Sequence, residues 1–379
     1  MKIILFYKQI NQLAGAEILL IEKYKKLSKE NNCEIVVFDY NKKIVEKNLN
    51  IKKVRSTIGL FFYLLKFKNP LIIGSSGHIN LFIACFLQNK KYSYHIHQPS
   101  IFSYNEFDKY AFKNIYKLKK LFIDKSKYNK FVNIYESLNI FDRIKINLRF
   151  ILSKLSYSFA LKTFVLSPLA KTEKKILYNI DSYILRGATN KINFNELKKN
   201  KINNYNNDYI NLITVGRLVY DKRIDLIINA IYKTKNNNLK YHIYGEGPES
   251  LKLKNQIQNL NLQSSIFLHN YLPENNKYDK IMSSDYFISI GAADFNIATI
   301  ESLLCRTPVI LSNDSLYEDS ISNSGAVHYV SQNIDGLSNF FTNIERKEKK
   351  IINWDKLETY INNNLSWNNF VTKLLELIV

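Results

Sequence analysis

Leu212-Ile213-Thr214-Val215-Gly216-Arg217-Leu218-Val219-Tyr220-Asp221-Lys222 reads as a short apolar strand running into a glycine and an arginine, with a lysine five residues later. Gly216 permits a sharp turn because it lacks the Cβ that closes most of backbone space. The same grammar returns twice. Tyr241 to Tyr244 runs into Gly245-Glu246-Gly247-Pro248, and Tyr286 to Ile290 breaks at Gly291-Ala292-Ala293-Asp294 before a helix holding one acid, Glu301. Strand, glycine turn and helix in series describe a parallel α/β sheet. Ligands of such sheets bind at the carboxyl ends of the strands, where helix amino termini attract anions. Residues 211–313 therefore read as a nucleotide site.

Each turn has its own chemistry. Asp221 is expected to cap a helix over Lys222–Ile231. Arg217 and Lys222 would then stand at a positive dipole end, where a pyrophosphate binds. The plainer alternative is that they are two of 54 basic residues on a solvated face. Glu301 lies on a helix expected from about Asn296 to Leu304, and its neighbours Ile297, Ala298, Leu304 and Cys305 are apolar, so its carboxylate points into the packed face. A buried carboxylate needs partners. A ribose diol would supply two donors; an internal salt bridge or a helix-end contact would also serve.

The run from Gly216 through Asp225 resembles the "GRL…EKG.D" motif of glycosyltransferase family 4, within the glycosyltransferases group 1. The resemblance continues through Gly245-Glu246-Gly247-Pro248, Asn270-Tyr271, Ser284-Asp285, Ile300-Glu301 and Thr307-Pro308-Val309-Ile310. It closes on Leu365-Ser366-Trp367. It implies the α/β GT-B fold, two Rossmann-like domains with parallel sheets facing across a cleft. The expected division is an acceptor-side domain at 1–190, a nucleotide-sugar-binding domain at 191–361, and a C-terminal helix at 362–379 packing back toward the first domain.

The resemblance also implies roles. Arg217 and Lys222 clamp the donor pyrophosphate, and Glu301 holds the ribose. Gly216, Gly245, Asn270, Asp294, Phe295 and Asn296 line the donor. Base selection falls near Asn270-Tyr271 and the Gly245 turn. This sequence departs from the family pattern at Ala293, where the first Glu of an E-x7-E motif belongs, and Asp294 and Asn296 replace glycines. Arg306 replaces another glycine before Thr307-Pro308. Ala293 has no group to bond a sugar hydroxyl. Family members need no bound metal and no cofactor, because the basic pair and helix amides neutralise the leaving diphosphate. The retaining reaction is expected on one face of the sugar, without a side-chain nucleophile.

The N-terminal half carries fewer motifs. Met1 to Tyr7 is expected as a first buried strand, not a signal peptide. Leu13-Ala14-Gly15-Ala16-Glu17 resembles the family's Gly-Gly-Ala-Glu loop, with Gly15 allowing close approach to phosphate and a helix continuing to about Leu27. Further strands are expected at Glu34–Phe38, Leu71–Gly74 and Tyr92–His97. His95 and His97 share one face of the last strand. The resemblance assigns His97 to the donor sugar; read from the residue alone, it is a hydrogen-bonded histidine at a strand end. A metal would need a third ligand, and nothing fixes His78 nearby.

Composition bounds the rest. A chain of 379 residues accommodates two domains with separate cores. Cys33, Cys85 and Cys305 have no metal-like spacing and suit a reducing cytoplasm. The apolar run Ile58–Leu65 is too short to span a bilayer. The tract 202–207 is the expected interdomain linker. The net charge of +21 accompanies abundant Lys, Asn, Ile and Tyr, all residues with AT-rich codons. Lysines interleave with apolar residues between Phe107 and Lys130, which suits a helix on an anionic membrane surface or a core helix with a lysine-rich outer face.

The expected activity is therefore that of a metal-independent retaining glycosyltransferase. It would move a sugar from a UDP- or GDP-linked donor to a glycan or polyprenyl-linked acceptor in surface polysaccharide or lipopolysaccharide synthesis. Its expected place is the cytoplasm or the inner face of the plasma membrane. A non-catalytic nucleotide- or glycan-binding relative is the alternative that Ala293 encourages. Nucleic-acid binding would rest on charge alone, with no recognition motif behind it.

Overall fold

The computed structural model describes residues 1–11, 15–43, 45, 48–97, 112–122, 125–190, 192, 194, 197, 205, 206, 208–291, 295–313, 315, 317–345 and 352–378. They form two units, Met1–Ala188 with Trp367–Val379, and Thr189–Ser366.

In the first unit the strands are β1 (Lys2–Ile10), β2 (Asn32–Tyr40), β3 (Ile51–Lys53), β4 (Leu71–Gly74), β5 (Ser93–Ile96), β6 (Lys162–Val165) and β7 (Tyr183–Ile184). Their order is β3-β2-β1-β4-β5-β6-β7. The helices are α1 (Gly15–Leu27), α2 (Thr57–Leu65), α3 (His78–Phe86), α4 (Lys125–Glu136), α5 (Ile140–Ser158) and α6 (Pro168–Tyr178), with a 3-10 stretch at Phe112–Leu121. Ile3, Ile4, Leu5 and Phe6 are all fully buried, the uninterrupted apolar run that a strand covered on both faces requires. Ser167 caps α6 through Ala170 N–H, and Pro168 follows it at the first helical position, where a missing N–H costs nothing.

The second unit holds β8 (Ile210–Val215), β9 (Leu239–Tyr244), β10 (Ile266–His269), β11 (Tyr286–Ser289), β12 (Val309–Ser312) and β13 (Val327–Val330), ordered β10-β9-β8-β11-β12-β13. Between and after them lie α7 (Ile224–Thr234), α8 (Ser250–Asn259), α9 (Glu274–Ser283), α10 (Ile297–Leu304), α11 (Asp319–Ser322), α12 (Ile334–Thr342) and α13 (Trp354–Asn364). Two apolar clusters sandwich this sheet, one around Ile228, Tyr241 and Phe341, the other around Phe287, Leu303 and Ile361.

All named strand pairings in both sheets are parallel. Each sheet also reverses its strand order beside its own first strand, at β1/β4 and at β8/β11. Such a switch point leaves a crevice at the carboxyl edge, because the connections on its two sides diverge.

The chain interrupts α13 at Leu365-Ser366 and resumes as α14 (Trp367–Ile378). Trp367, Phe370 and Leu374 are buried, and α14 packs on α1 within the first unit. The unit boundaries thus fall at 188/189 and 366/367; residues 202–204 and 207 of the expected linker lie outside the described residues.

Candidate active site

The switch point of the second sheet is assembled by glycines. Gly216 follows β8 at φ 153°, and Gly245 follows β9 at φ 147°. A Cβ on Gly245 would lie 1.9 Å from the Gly216 carbonyl oxygen, and one on Gly247 would lie 2.2 Å from the Leu218 oxygen. On the other side of β8, a Cβ on Gly291 would lie 2.7 Å from the Lys222 Cα. The three turns therefore touch backbone to backbone, a packing available only without side chains. Gly245 N–H also donates to the Asn270 carbonyl at 3.2 Å, tying in the turn after β10, where Tyr271 is exposed.

This packing changes one expectation. Asp221 does not cap the following helix. Tyr220–Lys222 forms a 3-10 turn, and α7 starts at Ile224 behind Arg223, which sits at φ 53° with no side-chain cap. The backbone at 221–222 is held against Gly291, so the helix begins beyond it.

Arg217 is exposed and has no ion-pair partner among the described residues. Lys222 is half-buried, and desolvation lowers the pKa of its ammonium, opposed by the charge of Asp221. An ammonium in that condition gains from an anion placed beside it. Asn296 caps α10, accepting from Ala298 N–H at 3.1 Å and donating to Ser289 Oγ at 2.8 Å. Phe295 is half-buried against the apolar cluster beside α10. Ala293 and Asp294 lie outside the described residues.

Glu301 is 5% exposed, as its apolar helical neighbours require. Its Oε1 accepts from Lys277 Nζ at 2.9 Å and from Tyr278 OH at 3.4 Å. Of the partners left open by the sequence, the internal salt bridge is present. Lys277 and Tyr278 escaped the sequence reading because a pairing 24 residues apart carries no local signal.

In the first unit, Gly15 opens α1 with nothing within 4 Å of where a Cβ would stand. His97 follows β5. Neither of its ring nitrogens has a hydrogen-bond partner among the described residues, which does not match the hydrogen-bonded strand-end reading. Burial holds its pKa well below the usual histidine range. Its ring meets His95 edge-on at 4.9 Å. His95 Nε2 faces the Leu185 carbonyl at 3.3 Å, so it carries the proton, and Nδ1 accepts from Lys23 Nζ at 3.2 Å. Lys23 is fully buried, and desolvation brings its pKa down to about 7. Sequence reading passed over Lys23, although its place on the face of Leu19, Leu20 and Leu27 marks a lysine pointing inward.

The cysteines are free and buried, and no cluster of three His, Cys, Asp or Glu able to hold a metal occurs among the described residues. Of the lysine-rich stretch 107–130, Ile115, Leu118 and Phe122 are buried, so these apolar residues belong to the core.

Residues 195–364 match the family of Glycosyl transferases group 1. This chain carries a group 1 glycosyltransferase domain. The group 1 domain coincides with the unit built on β8–β13. The chain is 30% identical over 101 residues to the poly(ribitol-phosphate) alpha-N-acetylglucosaminyltransferase of Staphylococcus aureus, covering 25% of this chain and 20% of that protein. It is 28% identical over 130 residues to the alpha-monoglucosyldiacylglycerol synthase of Streptococcus pneumoniae, covering 33% and 30%. The matches thus span less than a third of the length of either curated relative. Over the whole chain, the structure superimposes on Anabaena HepE in complex with UDP with a TM-score of 0.72, at 15% identity and 99% coverage of both chains. The fold around the group 1 domain is GT-B, with two Rossmann-like domains built on parallel sheets.

Proposed function

We propose that this protein is a retaining glycosyltransferase that takes a sugar from a nucleoside-diphosphate donor and passes it to a glycan or lipid-linked acceptor. The observation that carries the reading is the switch point after β8. Three turns meet there through their glycines, beside Arg217 and a desolvated, anion-seeking Lys222. Bare backbone admits a diphosphate closely, and two cations stabilise the charge that develops on it as the glycosidic bond breaks. In this reading no metal is required. The carboxylate of Glu301, held by Lys277, serves the ribose, and His97 serves the sugar. UDP is the first donor nucleotide to test, because HepE is seen with UDP and with UDP-glucose; GDP is the second. The curated relatives' names, an N-acetylglucosaminyltransferase and a glycolipid synthase, support a surface glycan or glycolipid as product.

Ala293 supports a second reading, a nucleotide- or glycan-binding protein without turnover. The two separate in one experiment. Thermal unfolding is followed with UDP, GDP, ADP and CMP, with and without chelator, and then sugar transfer is assayed with the nucleotide that binds. A ligand that binds the native state raises the unfolding temperature. A chelator-insensitive shift that disappears in Lys222→Ala supports the site, and turnover then distinguishes enzyme from binder. No shift with any nucleotide refutes both. The pH profile adds a sign. If the diphosphate binds protonated Lys222, affinity falls as pH rises through its lowered pKa, and Lys222→Arg removes that fall.

A further inference from the structure

Both ring nitrogens of His97 are buried, and neither has a hydrogen-bond partner among the described residues. A buried polar group left open in this way is available to a ligand, but no hydrogen bond fixes its ring. Its orientation therefore falls to packing, and the ring it packs on is His95, edge-on at 4.9 Å.

His95, by contrast, is held at both nitrogens. Nε2 donates to the Leu185 carbonyl just after β7, and Nδ1 accepts from Lys23 of α1. Phe164 of β6 meets the ring edge-on at 6.4 Å, and Phe370 of α14 lies against it at 5.5 Å. Four segments of the first unit thus converge on one imidazole.

Lys23 is the costly member. It is fully enclosed, and its amine also faces Ser75 Oγ at 3.5 Å and the Phe370 ring centre at 5.8 Å. No carboxylate pairs with it among the described residues. The Cys33 thiol nearby is pushed up to about 12 by burial, so it supplies no counter-charge near neutral pH. An apolar residue would fill the same space without the desolvation penalty. What the amine adds is the donor that His95 Nδ1 requires. Without it that nitrogen is a buried acceptor with no partner, and the ring is released to change tautomer or turn.

We propose that Lys23 and His95 are positioning residues, a buried platform that aims the His97 ring. The inference rests on the reading of His97 as a contact of the donor sugar, and deepens it by adding two residues that act through His97.

The test has two readouts. Side-chain nitrogen NMR spectra of the free, full chain need no substrate. Wild-type His95 should show one tautomer, with its proton on Nε2; Lys23→Met should mix the tautomers and shift the His97 resonances. Unchanged His95 and His97 resonances in Lys23→Met overturn the proposal. Methionine removes a buried amine, so the variant should unfold no earlier than the wild type. The second readout is sugar transfer at about pH 8. Lys23→Met should lower kcat about tenfold, the scale of one misdirected hydrogen bond, with the donor KM within about twofold. In a His97→Ala background the same substitution should cost nothing further, because Lys23 acts through His97. Additive losses overturn the proposal, as does wild-type kcat in Lys23→Met where His97→Ala is impaired. Wild-type transfer by His97→Ala, with His97 resonances that still respond to Lys23→Met, would refute the sugar contact and leave the platform standing. If no nucleotide sugar turns over, the donor reading fails and the spectra still decide the platform.

Discussion

The two sheets share a topology but bury charge differently. The first unit buries Glu17, Lys23, Glu34, Glu173 and Lys174, with Lys23 and Glu173 fully enclosed. Some are paired: Glu17 accepts from Tyr7 OH at 2.9 Å, and Lys174 meets Glu173 at 3.1 Å. The second unit, among its described residues, buries one charged side chain, Glu301. Its site is shaped instead by glycines whose turns touch. One unit organises its interior through buried polar side-chain pairs, the other through backbone proximity, and the two designs respond differently to substitution.

The largest effect is expected where backbone meets backbone. Gly245→Ala places a methyl against the Gly216 carbonyl at a φ that side chains avoid, and should cost roughly 4 kcal/mol in urea unfolding. Gly216→Ala, with open space around it, should cost about 1 kcal/mol from its φ alone. Equal costs at the two positions would break the account of the touching turns.

Next comes the ion pair. Glu301→Ala leaves Lys277, only 12% exposed, without its carboxylate and should destabilise by about 3 kcal/mol. Adding Lys277→Met should recover much of that loss. A double variant as unstable as the two single losses combined would show that the pair acts independently.

A gentler test addresses the first unit. The Lys23 pKa is near 7 when folded, against an ordinary lysine value when unfolded. Between those values the unfolded chain binds more protons, so stability should rise with pH above about 7, with a limiting slope of about 1.4 kcal/mol per pH unit. The penalty is fully present below pH 7. Lys23→Met should flatten that rise, and a wild-type curve already flat from pH 7 to 10 would show that Lys23 is solvated.

The smallest effect is expected at Arg306. It occupies φ 55°, a conformation that favours glycine, and it pairs with Asp355 and Glu358 while lying 4.3 Å from the Phe194 ring centre. Arg306→Gly relieves strain and forfeits largely solvated pairs, so stability should change by less than about 1 kcal/mol.

These cases show where the chain was legible. Strand–glycine turns at 216, 245 and 291 were readable because each is local, and the burial of Glu301 followed from helical spacing alone. The start of α7 was misread: Asp221 has the chemistry of a cap, but the approach of Gly291 keeps that segment in a 3-10 turn. Stretch 107–130 showed its lysines plainly, yet only packing revealed that Ile115, Leu118 and Phe122 face inward.

Local patterning was sufficient for the α/β class, the group 1 motifs and the glycines of the second sheet's switch point, since backbone freedom and apolar period are properties of neighbouring residues. Which acid meets which base, and that Lys23 lies beneath His95, emerged with the packed chain. Those facts depend on segments tens of residues apart arriving at the same place, and residue order alone carries no distance between them.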